Sequence, residues 1–218
     1  LINITQLIEE SHGTAIEKGW WEQMDRNFGE QLMLFVTELT EVWEEVATGM
    51  PAYQTYLTRD VDTRKPEGLA SEFADLWIRA ADTIGRYQIP IVEAIGEIMG
   101  RGPATHPLAR LEDLIEEAWK FMEPDAGYGV DLSHGLMVII AQISYAMEEY
   151  RVNGLDPEKF LTRDTATGFP RGMAAVFAKM FIVSAAVCYE FEIPMCEALE
   201  QKLAYNKSRP YRHGGKKA

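Results

Sequence analysis

The run Leu32-Met33-Leu34-Phe35-Val36-Thr37-Glu38-Leu39-Thr40-Glu41-Val42-Trp43-Glu44-Glu45-Val46 decides the fold class. Its apolar residues Leu32, Phe35, Val36, Leu39, Val42, Trp43 and Val46 recur at steps of three and four, which places them on one face of a helix. Phe73, Leu76, Trp77, Ala80, Ala81 and Ile84 repeat that pattern downstream. Gly49-Met50-Pro51 and Lys65-Pro66-Glu67-Gly68 mark turns around the intervening loop. Pro90 opens another helix through Ile91, Ala94, Ile95 and Ile98, and an amino-terminal helix is expected from about Ile4 to Lys18. Strand-like alternation is weak throughout. The expectation is an all-α chain of antiparallel helix bundles.

The same run also returns. Leu32-Met33 reappears as Leu136-Met137, an offset of 104 positions. That offset carries Glu44-Glu45 onto Glu148-Glu149, and Leu57-Thr58-Arg59-Asp60 onto Leu161-Thr162-Arg163-Asp164. It also carries Pro66 and Gly68 onto Pro170 and Gly172, Phe73-Ala74 onto Phe177-Ala178, and Ile89-Pro90 onto Ile193-Pro194. A constant offset over so many positions identifies a tandem duplication. The expected halves are 1–103 and 104–218, joined near Gly100-Arg101-Gly102-Pro103 and packed as an intrachain pseudo-dimer.

Composition narrows the partners. The formal net charge of −13 argues against a nucleic-acid polymer, whose phosphates require a basic footprint. It leaves room for a single nucleotide that arrives with a divalent metal. Lys202, Lys207, Arg209, Arg212, Lys216 and Lys217 crowd the last seventeen positions and give the acidic chain a cationic tail. No apolar run reaches the length a membrane span needs, and Leu1 to Gln6 lack the basic n-region of a secretory signal. The two cysteines, Cys188 and Cys196, lie in apolar helical segments without metal-ligand spacing, as free thiols in a reducing cytoplasm would.

Against that background the acidic residues stand out. Glu38 and Glu41 are three apart on one helix, and Glu72 and Asp75 repeat the spacing on the next. Acidic residues three apart ordinarily form a solvated helix face, but these four border apolar stripes. Antiparallel packing would bring them together, where they repel one another unless a cation neutralises them. Hard oxygen ligands favour Mg²⁺, with Mn²⁺ as a substitute. The repeat provides a control: Glu38, Glu41, Glu72 and Asp75 become Gln142, Tyr145, Val176 and Lys179, whereas Glu44 and Glu45 persist. Four charges lost together behave as one unit, with one site per chain. Asp82, seven residues beyond Asp75, becomes Ala186 and is expected to ligate the metal or support its ligands. Arg79 shares that face, where it forms a structural ion pair or reaches a phosphate.

These residues resemble the MazG-like all-α nucleoside triphosphate pyrophosphohydrolases, a superfamily that includes the dimeric dUTPases. Its paired motifs, ExxE then ExxD, read here as Glu38-Leu39-Thr40-Glu41 and Glu72-Phe73-Ala74-Asp75. Its KxxxN element, followed by arginine, reads Lys202-Leu203-Ala204-Tyr205-Asn206-Lys207-Ser208-Arg209, and Glu17-Lys18-Gly19-Trp20-Trp21 is similar to the start of one subgroup. The resemblance spans the chain once as an active-looking half and once as a degenerate one. It implies Mg²⁺-dependent cleavage of an NTP or dNTP to the monophosphate and pyrophosphate, a nucleotide-pool house-cleaning reaction, and it accommodates a homodimer of such chains.

By this resemblance Glu38, Glu41, Glu72, Asp75 and Asp82 hold metal, and Glu41 or Glu38 positions or deprotonates water. Lys202 and Arg209 hold phosphate, Asn206 reads sugar or base, and Trp20, Trp21 or Tyr205 stacks on the base or packs internally. His213-Gly214-Gly215 belongs to a closing tail or a flexible terminus. One departure from the family matters. The acidic motifs lie in the first half and KxxxN in the second, where the first half has Ile98 and Gly102. The expectation is a composite site. The alternative is a catalytically idle regulatory or assembly protein of the same fold. A di-iron bundle is disfavoured, because none of His12, His106, His134 and His213 follows a glutamate by three.

Overall fold

The computed structural model describes residues 2–22, 27–57, 64–100, 110–122 and 131–212. The Arg101–Pro103 part of the expected linker, Thr58–Asp60 of the first repeat and the tail from His213 onward lie outside those residues. The chain is all-α, with α1 at Ile4–Glu17, α2 at Phe28–Thr48, α3 at Leu69–Tyr87 and α4 at Ile91–Ile98. They are followed by α5 at Leu111–Met122, α6 at Leu132–Asn153, α7 at Met173–Glu190 and α8 at Met195–Ser208. Two small antiparallel pairs interrupt the helices: β1 (Tyr56–Leu57) with β2 (Pro66–Glu67), and β3 (Thr162–Arg163) with β4 (Pro170–Arg171). Two-residue strands are too short for alternation to register in sequence.

The duplication is visible in the helix ends. Asn27 caps α2 by accepting from the Gly29 amide at 2.8 Å, and its counterpart Asp131 caps α6 by accepting from the Ser133 amide at 3.2 Å. α2 stops at Gly49, which adopts the left-handed conformation at φ 74°. α2 buries Phe35, Glu38, Leu39 and Val42, but Trp43 is 49% exposed and lies outside the buried stripe that its spacing suggests. In α3 every expected apolar position is buried.

The repeated glycines at the start of α3 and α7 have a steric origin. Gly68 lies at φ 105°, and a Cβ there would meet the Gln54 carbonyl oxygen at 2.6 Å. Gly172 lies at φ 88°, and its Cβ would meet the carbonyl oxygens of Lys159 and Phe160 at 2.5 and 2.7 Å. Backbone cannot yield as a flexible side chain can, so both positions require glycine. Gly172→Ala is expected to cost about 2–3 kcal/mol in chemical denaturation. Gly13→Ala, inside α1 with no atom within 4 Å of the new methyl, is the control and should be neutral or stabilising. Equal stability of the two variants would refute the steric account.

The chain forms two compact units that interleave along the sequence: Leu1–Thr5 with Tyr87–Phe191, and Gln6–Arg86 with Glu192–Ala218. In the first, α7 packs against α4, α5 and α6. The Trp119 indole stacks on Tyr189 with ring centroids 4.9 Å apart and donates to Glu190 at 2.8 Å. Contrary to the expectation from sequence that no apolar run is long enough, α7 has the length and composition of a membrane span, with a mean hydropathy of 1.6, yet 78% of it is buried within the protein. It is apolar around most of its circumference, as a central core helix is.

In the second unit, Gln31 of α2 meets Thr83 of α3 and Glu38 meets Arg79, so the two helices run antiparallel. α1 joins them through His12 and Asp82. α8 contributes Lys202 to Asp75 on α3 and Lys207 to Glu10 on α1, both at 2.8 Å. Each unit therefore combines helices of one repeat with the last helix of the other: α4 accompanies α5–α7, and α8 accompanies α1–α3.

Candidate functional site

The antiparallel α2 and α3 place Glu38 opposite the first turns of α3. One carboxylate oxygen from each of Glu38, Glu72 and Asp75 lies within 4.8 Å of the other two. Glu38 and Glu72 are buried and Asp75 is half-buried. Glu72 is 2% exposed, and neither of its oxygens has a hydrogen-bond partner; the Lys65 and Lys202 ammonium groups each stand 3.8 Å from Oε1. Glu38 is held by Arg79, whose Nε donates to its Oε1 at 2.5 Å.

Crowding and burial both act on these acids. Burial, aided by Asp75 and Glu41, pushes Glu38 up to about 7 against the pull of Arg79. Burial raises Glu72 well above the carboxylate range; Lys202 opposes the shift, and Glu67 and Asp75 add to it. Buried acids that resist ionisation among so many cations lack a sufficient counter-charge. A hard divalent ion would supply it through oxygen ligands alone, so these three residues fit Mg²⁺ or Mn²⁺.

Beside the carboxylates opens a cavity of about 410 Å³. Its lining carries the acids Glu38, Glu41, Asp75 and Asp82 and the cations Lys18, Lys65, Arg79, Lys202 and Arg209. Trp20, Tyr205 and Asn206 complete the wall among the residues expected from sequence. Pockets of this size hold small molecules, and a lining that mixes carboxylates with cations suits a phosphorylated ligand bound with metal. Arg209 lies 5.4 Å from the centroid of the Tyr205 ring. Beyond α8 the chain returns to the end of α1: the Arg212 amide donates to the Lys18 carbonyl at 3.0 Å and its Nε to that of Gly19 at 3.2 Å. This tie fixes the segment that carries Trp20.

Not all of the expected ligands converge. Glu41 lines the cavity, half-buried, but is not among the three clustered carboxylates. Asp82 is engaged elsewhere: its Oδ1 accepts from Trp21 Nε1 at 2.7 Å and pairs with His12 Nδ1 at 2.8 Å. Seven residues of helix separate it from Asp75 by about 10 Å of rise, which sets it two turns away from the cluster. Trp21 accordingly packs near His12 and under Arg86, whose guanidinium lies 5.1 Å from its ring.

Lys65 is the residue that sequence reasoning passed over. It lies just before β2, its ammonium 3.1 Å from Glu67. Burial lowers its proton affinity, but Glu72 and Glu67 outweigh burial and hold it up at about 12, fully charged. A signal was present, because the 104-residue offset turns Lys65 into Phe169 and Arg79 into Val183. Both cations disappear with the acids. No family model, no curated protein and no solved structure matches this chain.

Proposed function

We propose that this protein is a Mg²⁺-dependent nucleoside triphosphate pyrophosphohydrolase of MazG-like type, cleaving an NTP or dNTP to the monophosphate and pyrophosphate. The observation that carries the reading is Glu72: a buried carboxylate without a hydrogen-bond partner, clustered with Glu38 and Asp75 at the edge of a cavity lined by five cations. Such an acid is costly unless a cation completes it. The metal, when bound, neutralises negative charge on the phosphates and supports its build-up during transfer.

The protein's own groups then divide the work. Lys65, Arg79, Lys202 and Arg209 line one cavity and supply the positive charge that holds a triphosphate. Glu41 is better placed than Glu38 to take a proton from water, because Glu38 is buried and held by Arg79. The water oxygen bonds to the α-phosphorus as the bond from that phosphorus to the α,β-bridging oxygen breaks. Pyrophosphate departs, and the water proton passes to the carboxylate. Asn206 reads sugar or base, and Trp20 or Tyr205 offers a stacking face. We read the duplication as an intrachain pseudo-dimer that acts in the cytoplasm, alone or as a homodimer.

One observation favours an idle scaffold: Glu38 and Asp75 already have internal partners in Arg79 and Lys202. That reading leaves Glu72 unexplained. A panel of NTPs and dNTPs incubated with Mg²⁺ and resolved by chromatography tests the proposal. Monophosphate and pyrophosphate are the expected products. Orthophosphate release, or no turnover of any nucleotide, would overturn it.

A further inference from the structure

We propose that the Lys202 ammonium is a built-in competitor for the divalent cation, holding the notch between Asp75 and Glu72 until metal displaces it into the cavity. The inference rests on the metal-dependent reading above. Lysine is almost never fully buried without a partner, and Lys202 is 0% exposed. Its Nζ lies 2.8 Å from Asp75 Oδ2 and 3.8 Å from Glu72 Oε1, two of the three carboxylates that come within ligand range of one another. A small divalent ion ligated by those oxygens at about 2.1 Å would crowd an ammonium already seated there, and two positive centres at that separation repel strongly.

The metal-side demand is independent of Lys202. Glu72 is buried, aimed into the cluster and without a hydrogen-bond partner, and neither nearby ammonium comes closer than 3.8 Å. Lys202 therefore balances charge without completing the site. It also has somewhere to go, since it lines the cavity together with Asn206 and Arg209, one and two turns further along α8. The first unit, Leu1–Thr5 with Tyr87–Phe191, shows the coupling from the other side. There the counterparts of Glu72, Asp75 and Lys202 are Val176, Lys179 and Ile98, so ammonium and carboxylates were lost together. Displaced into the cavity, Lys202 would meet the triphosphate, and metal and nucleotide would assist each other's binding.

Calorimetric titration of the full-length, metal-free protein with Mn²⁺ alone tests the competition. Lys202→Met should bind Mn²⁺ at least tenfold more tightly than wild type, and Lys202→Arg should stay near wild type. A role confined to stabilising the fold gives the opposite result, because a loosened site binds metal less well. Wild-type protein supplies a second readout that does not depend on the variants folding. Reductive methylation followed by peptide mass spectrometry should modify Lys202 several-fold more with saturating Mg²⁺ than without. The exposed Lys207, paired with Glu10, serves as the unchanged reference. Equal or weaker Mn²⁺ binding by folded Lys202→Met, or no gain in Lys202 labelling, overturns the inference while leaving the metal site in place. Absence of metal binding by both wild type and Lys202→Met overturns the metal-dependent reading itself.

Discussion

Glu72→Gln is expected to lower kcat/KM about a thousandfold, ~4 kcal/mol of transition-state stabilisation, without weakening the metal-free fold. The two halves of this expectation have one cause. Glu72 is one of the buried residues of α3, and neither oxygen of its carboxylate has a hydrogen-bond partner. Without metal, the ionised form is a burden on the fold, as its raised proton affinity records. The neutral amide has nearly the same shape and removes that burden, so the metal-free variant should melt at the wild-type temperature or above it. With metal the balance inverts, because an amide oxygen is a poorer ligand than a carboxylate. Steady-state kinetics and thermal melting of one preparation test both halves. Activity within tenfold of wild type would remove Glu72 from the site, and a large loss of stability would make its role structural.

Adding Mg²⁺ should raise the melting temperature by about 5–10 °C at pH 8 and hardly at all at pH 5. Glu38 titrates at about 7 in the folded protein, against an ordinary value of 4.5. Across that window the folded state keeps a proton that the unfolded chain has released. The metal-free protein therefore loses stability as pH rises through about 7, and Glu72, shifted in the same direction, extends the loss upward. Metal binds only the ionised acids, so its stabilisation appears where the metal-free protein is weakest. At a hundred times its dissociation constant a ligand contributes about 2.7 kcal/mol, the basis of the shift given above. The check is melting with Mg²⁺ and with chelator at both pH values. An equal shift at pH 5 and pH 8 would show that the ion binds elsewhere.

Much of this was legible in the residues. Periodicity located α2 and α3, Pro90 located α4, and the constant offset identified a duplication that the caps Asn27 and Asp131 repeat. Trp43 misled because an apolar stripe is only about 100° wide, and a residue at its edge can turn outward. Asp82 lines the cavity but stands apart from the three clustered acids, because a shared helix face does not imply a shared height along the axis. Lys65 went unnoticed because Lys65-Pro66-Glu67-Gly68 announces a turn, and turn residues are seldom asked what their side chains reach. The exchange of α4 and α8 had no direct signature. Ile-Pro-x-x-Glu-Ala, from Ile89 and from Ile193, leads into both helices, so the motif alone does not tell which bundle each joins. Only the separation of the acidic motifs from Lys202 hinted that the pairing crossed between repeats.

That exchange bears on how the protein comes into being. Asp75 and its partner Lys202 are 127 residues apart, so the ribosome delivers the acidic helices long before the cation that covers them. A nascent chain must carry its uncovered carboxylates through the synthesis of the whole second repeat. Evolution meets the same constraint: each copy of the repeat now supplies a helix to the unit built mainly from the other, so discarding either copy would strip a helix from the unit that remains. The second repeat could lose its acids, residue by residue, while its last helix kept Lys202 beside Asp75.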